Sequence, residues 1–187
     1  QINPHFLFNT LGLIMMLLDD DGIDPQAQQV TRDLSDVLRF SLSDDNLTYL
    51  RDELLNSQKF VQILEVRYAG KFHTVFDIDE KLLNIKVPRL VLQPIIENAV
   101  FHGISAKEGE GFKLTIRCYL KEKNGTNGIL QYVCVEVSDD GVGMPEEKLV
   151  ALRHSILADN ISMKHIGVQN VAKRLKLLYP NDSNFEI

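Results

Sequence analysis

Apolar and polar positions along the chain keep two different rhythms. As far as residue 68 they recur at helical spacing. A first helix is predicted from about 4 to 18, ending at the acidic break DDDGIDP. A second is predicted from about 26 to 43, with Val30, Leu34, Val37, Leu38 and Ser41 along one side. A third, from about 51 to 68, carries Leu54, Val61, Leu64 and Tyr68. From residue 71 the period shortens to two, as in half-buried strands. KFHTVFDID sets Phe72, Thr74, Phe76 and Ile78 on one side. FKLTIRCYL sets Phe112, Leu114, Ile116, Cys118 and Leu120 against Lys113, Thr115, Arg117, Tyr119 and Lys121. EKNGTNG reads as a hairpin connection into LQYVCVEVSD. Between the first two strands VPRLVLQPIIENAVFHG reads as a helix closed by Gly103, and helices near 145–157 and 168–179 flank a polar loop. The predicted class is α+β, a sheet with its helices collected on one face.

Composition narrows this picture. The 187 residues allow one domain with a smaller helical partner, and 44% hydrophobic with 25% charged residues fits a globular chain. A net charge of −6 offers no general attraction for nucleic acid or anionic membranes. A phosphate-bearing partner would have to be held locally, by backbone amides, a metal or a few side chains. Cys118 and Cys134 are too few for a disulfide framework and read as reduced, buried small residues. The longest apolar run, LGLIMMLL, is too short to span a bilayer. A start at Gln1 and an end at FEI read as an excised piece of a longer protein.

Three stretches carry candidate chemistry, each with an ordinary structural alternative. In IIENAVFHG, Asn98 and His102 stand one helical turn apart, beside Glu97 and Phe101. Asparagine is a poor residue for a helix interior, but its side-chain carbonyl can bind a hard cation such as Mg²⁺. A solvated polar face would give the same pattern. In VEVSDDGVGMPEE, Asp139 shares the strand parity of Val133, Val135 and Val137, so it is predicted to point into the apolar layer rather than to water. A buried carboxylate needs a donor, which the exocyclic amine of adenine would supply. Asp140 points the other way and reads as a turn residue, while Gly141 and Gly143 let the backbone approach a flat ligand. Aspartate–glycine turns also end many strands. In HIGVQNVAKRLKLLYP, Gly167 precedes a helix with Val168, Val171, Ala172, Leu175 and Leu178 on one stripe, and free amides at its start could hold phosphate. A loop glycine before an amphipathic helix would look alike.

Taken in order, ENAVFHG, DDGVGM and IGVQN resemble the N, G1 and G2 boxes of the ATP-binding fold shared by histidine kinases, gyrase B, Hsp90 and MutL. The resemblance implies a Bergerat-type (GHKL) α/β sandwich, lacking its closing strand after FEI. It implies ATP and Mg²⁺ as ligands: Asn98 on the metal, Asp139 on adenine, and Glu97 and His102 on the phosphate side. Gly141, Gly143 and Gly167, with Asn170 of the last motif, would shape the pocket and a lid between about 144 and 167. His165 stands where that motif usually opens with glycine, and Phe101 where lysine is frequent in the first motif.

QINPHFLFNTL, followed by LSDVLRFSL, EVRYAG and VPRLVLQPIIENAVFHGI, resembles the LytS/YesM type of sensor histidine kinase over nearly the whole chain. The resemblance implies residues 1–68 as a phosphoacceptor and dimerisation region and 69–187 as the ATP-binding domain. It implies His5 as phosphoacceptor, a homodimer, and a response-regulator aspartate as the next acceptor. It further implies the cytoplasmic portion of a plasma-membrane sensor, anchored through upstream sequence. The chemistry agrees, since an imidazole is largely neutral at physiological pH and can attack a phosphoryl group. Gln1, His5, Asn9 and Gly12 share one helical stripe, and Asn9 is placed to hydrogen-bond the ring. Phe6 stands where other kinase families carry a carboxylate, so proton removal falls to Glu97 or water. Two rival readings are another ATPase of the same fold and a non-catalytic nucleotide-binding scaffold.

Overall fold

The computed structural model describes residues 4–19, 22–106, 111–125, 128–157, 166–180 and 183–187. Helix α1 (Pro4–Leu17) opens with proline at its first position, where a missing N–H costs no helical hydrogen bond. It buries Phe6, whose ring packs 4.7 Å from that of Phe60, and Thr10, whose hydroxyl donates to the Phe6 carbonyl at 2.8 Å. The acidic break is a small antiparallel pair, β1 (Leu18–Asp19) with β2 (Gly22–Ile23). Asp24 then caps α2 (Pro25–Ser41) by accepting from the Gln26 amide at 2.7 Å, with Pro25 at the first helical position. Strand β3 (Leu47–Tyr49) leads directly into α3 (Leu50–Arg67). The inward stripe of α2, Ala27, Val30, Leu34 and Val37, packs with α1 and α3, and Lys59 of α3 pairs with Asp36 of α2.

The remaining elements are β4 (Phe72–Ile78), β5 (Lys86–Pro88), α4 (Gln93–Ala106), β6 (Phe112–Gly125), β7 (Gly128–Asp139), α5 (Glu146–Leu157) and α6 (Ile166–Leu178). Strand β6 is central, parallel to β4 and antiparallel to β7. Parallel neighbours need a crossover connection, and the one from β4 to β6 includes α4. The architecture is α+β. Alternation holds along β4, and in β6 Phe112, Leu114, Ile116 and Cys118 are buried. Leu120 departs from expectation and is exposed, because the β6–β7 hairpin runs on past the end of β4, whose last residue Ile78 pairs with Cys118. The hairpin strands also continue through most of EKNGTNG, pairing as far as Gly125 with Gly128. Both cysteines are free; Cys118 is buried, with its thiol pushed up to about 11 by burial, but Cys134 is only half-buried. Among the described residues no helix is long and apolar enough to cross a membrane.

Two expectations about α4 are corrected. It begins at Gln93, not near Val87, because Lys86–Pro88 pairs with β3 and Glu53 binds the amides of Leu90 and Leu92. Those contacts claim the backbone that helix periodicity alone assigned to α4. Nor does Gly103 end the helix, which runs on to Ala106. Gly103 is there for close packing: a Cβ at this position would stand 2.1 Å from Cε2 of Phe112. Gly103→Ala is therefore expected to destabilise the fold by about 1–3 kcal/mol through overpacking, despite alanine's better helix propensity. Denaturant unfolding checks this, and an unchanged or raised midpoint would contradict it.

One hydrophobic cluster extends from Phe6 of α1 through α2, α3 and α4 to Cys118 of β6. A smaller one joins Leu152 and Ile156 of α5 to Val168 and Ala172 of α6, with Met144 and Phe185 packed against it.

Candidate functional site

Helix α4 organises the site through its faces. Ile96, Val100 and Gly103 turn to the core. Glu97 and Phe101, one turn apart, line a cleft with Phe6 of α1 and with Leu64, Arg67 and Tyr68 at the end of α3. The first turn of the predicted phosphoacceptor helix thus meets the Glu97 side of α4. Asn98 and His102 occupy the adjoining face, Asn98 half-buried and His102 exposed, with the His102 ring edge-on to Phe101 at 5.5 Å. His5 lies in the first turn of α1, and Asn9 is half-buried one turn on.

The turn after β7 sits against the C-terminal half of α4. Asp139 pairs in register with the fully buried Leu114, so the predicted sheet face is the observed one. Its carboxylate is nevertheless exposed, which corrects the expectation that it avoids water. It stands on the last pair of the ladder, at the open end of the sheet. Its Oδ1 accepts from the Gly141 amide at 2.9 Å, while Asp140 accepts from the Lys113 amide at 2.8 Å and pins the turn to β6. A Cβ on Gly141 would lie 2.8 Å from Asp139 Oδ1 and 3.5 Å from Cα of Gly103. Gly143 has φ +70°, a left-handed conformation that favours glycine.

The start of α6 meets the other end of α4, where a Cβ on Gly167 would lie 3.3 Å from that of Pro94. Gly167 and Asn170 are exposed, and the buried Gln169 donates to Ser155 Oγ at 2.7 Å, tying α6 to α5. From Pro94 to Gly103 is nine residues, about 13 Å of helix. Asp139, Gly141 and Gly167 are therefore ranged along one helix, with Asn98 between them. His165, and with it residues 158–165 of the expected lid, lies outside the described residues, as does Gln1. No cluster of three His, Cys, Asp or Glu side chains able to hold a metal occurs among the described residues.

Some positioning residues escaped the sequence reading. Glu53 is fully buried on α3, its Oε2 accepting from the Leu90 amide at 2.8 Å and its Oε1 from the Leu92 amide at 3.0 Å. Burial pushes its carboxyl above the usual glutamate range, against the pull of these amides, that of Val91, and Arg174. The available signal was an acid sharing a helical stripe with Leu50, Phe60 and Leu64. Arg89 and Arg174 carried no local signal, because the carbonyls they bond, and the Asp45 carboxylate and Phe40 ring that Arg89 also meets, are distant in sequence.

Residues 1–72 match a family described as histidine kinase. Over its whole length the chain is 33% identical to the sensor protein LytS of Oceanobacillus iheyensis, covering 31% of that protein. It is likewise 31% identical over its whole length to the sensor protein kinase HptS of Staphylococcus aureus, covering 34% of it. The chain spans about a third of the length of these curated relatives.

Proposed function

The chain belongs to the sensor histidine kinases, and from that premise we propose that it is the catalytic core of such a kinase, transferring the γ-phosphoryl group of ATP to His5. Residues 1–68 serve as the phosphoacceptor and dimerisation region, and 69–187 as a GHKL-type ATP-binding domain. The observation that carries this reading is the layout along α4. The Asp139–Gly141 turn packs at the Gly103 end, Gly167 at the Pro94 end, and Asn98 lies between. A nucleotide lying along this helix meets an acceptor for its base at Asp139 and, at the start of α6, helix amides suited to anionic phosphate.

Each residue then has a definite task. Asp139 accepts from the adenine amine, while Gly141 and Gly143 keep the turn close to the base. Asn98 offers its side-chain carbonyl to Mg²⁺, which neutralises phosphate charge when bound. One hard oxygen suits a cation that arrives with a nucleotide and keeps several waters. His102, Gly167 and Asn170 border the phosphates. The His5 imidazole forms the new N–P bond as the bond to the ADP oxygen breaks, and the ring proton passes to Glu97 or water. Asn9 orients the ring.

A response-regulator aspartate receives the phosphoryl group next, on the cytoplasmic side of a membrane-anchored sensor. A homodimer forms through α1, whose exposed Phe8, Leu11 and Met15 recur at helical spacing.

Asp139→Asn tests the nucleotide site. The amide keeps an oxygen for the Gly141 N–H but replaces the second acceptor with a donor. Affinity for a fluorescent ATP analogue is expected to fall by about tenfold or more, the loss typical of an unmatched buried hydrogen bond. Unchanged affinity would remove Asp139 from the site.

A further inference from the structure

The segment between β5 and α4 is held from several sides by main-chain bonds. Arg174 of α6 donates to the Arg89 carbonyl and, at 3.1 Å, to the Asn46 carbonyl. The Arg89 side chain donates to the Phe40 carbonyl of α2 at 3.2 Å and the Asp45 carbonyl at 3.1 Å, and covers the Phe40 ring at 4.5 Å. The Arg89 amide bonds the Asn46 carbonyl at 3.0 Å, and Glu53 of α3 takes the next amides at Leu90 and Leu92. Leu90 is held at φ +55°, a left-handed conformation that costs a non-glycine residue energy unless its surroundings enforce it.

We propose that Arg89 and Arg174 are positioning residues for the nucleotide site, a clamp by which the end of α2 and the start of α3 set α4 and α6 relative to each other. Neither guanidinium touches the nucleotide. They act through residues 89–92, which lead straight into the helix carrying Asn98, and through α6, which carries Gly167 and Asn170. Guanidinium suits the task because its planar fork offers separate nitrogens to the two carbonyls in a fixed geometry, where an ammonium has only one nitrogen. Displacement of α2 pulls on Arg89 and moves both nucleotide-bearing helices. The clamp rests on the ATP-site reading given above.

Titration of the chain with a fluorescent ATP analogue and Mg²⁺ tests it, with circular dichroism and thermal unfolding as controls. Arg174→Ala is expected to weaken binding about tenfold and Arg89→Ala about fivefold, the range of mutations that act through coupled networks. The double variant is expected to lose no more than about tenfold, because both substitutions release one segment. Arg174→Lys keeps the charge and one donor nitrogen but loses the two-nitrogen fork, and should recover part of the affinity; it also decides the matter if the alanine variant does not fold. Wild-type binding with unchanged affinity in all variants would overturn the clamp, as would losses that simply multiply. A wild-type chain that binds no nucleotide would overturn the ATP-site reading, and the clamp with it.

Discussion

Replacing His5 with alanine is expected to eliminate phosphoryl transfer from γ-labelled ATP to the chain, a loss on the order of a thousandfold or more, as when a nucleophile is removed. The label on the wild-type chain should be acid-labile and alkali-stable, as for phosphorus bound to imidazole nitrogen. Alanine is a good helix former, and the adjacent Phe6 anchors α1 through its contact with Phe60. Nucleotide affinity should therefore survive the substitution, because no residue of the proposed ATP site lies on α1. That pairing of lost transfer with kept binding is the diagnostic result. Label persisting in the variant would assign the acceptor role to another residue. A wild-type chain that binds ATP without becoming labelled would favour a nucleotide-binding scaffold.

Glu53→Ala is expected to cost about 2–5 kcal/mol, since it leaves the Leu90 and Leu92 amides unpaired in a buried site, at about 1–3 kcal/mol for each. Glu53→Gln should cost less, about 1–3 kcal/mol, because one amide then faces an NH₂ instead of an acceptor. Denaturant unfolding measures both, and a loss below about 0.5 kcal/mol in the alanine variant, the range of ordinary surface changes, would refute the assignment. The pH dependence has a definite sign. Burial raises the Glu53 carboxyl above its reference value of 4.5, so the folded state holds this proton more tightly than the unfolded chain. Its contribution to stability is full below 4.5 and is lost as pH rises through the folded value. The unfolding free energy of the wild type should thus decline with pH across that window relative to the glutamine variant, which has no proton to lose there.

Legibility in the sequence followed the range of the interactions. Helix α2 was readable because its start is local chemistry, with Asp24 and Pro25 beside an apolar stripe. The inward set of β4 was readable because alternation is a property of neighbouring residues. Asp139 was legible in part. Strand parity predicted its face, but exposure depends on what covers the end of the sheet, which no strand can encode by itself. Gly103 was misread because a glycine near a helix end has two uses, and only the Phe112 ring distinguishes them.

Readable in the chain alone were the helical and alternating segments, the order of the three motifs around Asn98, Asp139 and Gly167, and the place of His5 in the first turn of an apolar helix. These rest on periodicity and on residue types within a few positions of one another. Only the folded chain shows that α4 starts at Gln93, that Glu53 is a buried support for residues 90–92, and that Arg89 and Arg174 bond main-chain carbonyls far along the sequence. The physical reason is common to all three. The backbone amides and carbonyls involved are chemically alike at every position, so no side-chain pattern marks which of them a distant carboxylate or guanidinium will meet.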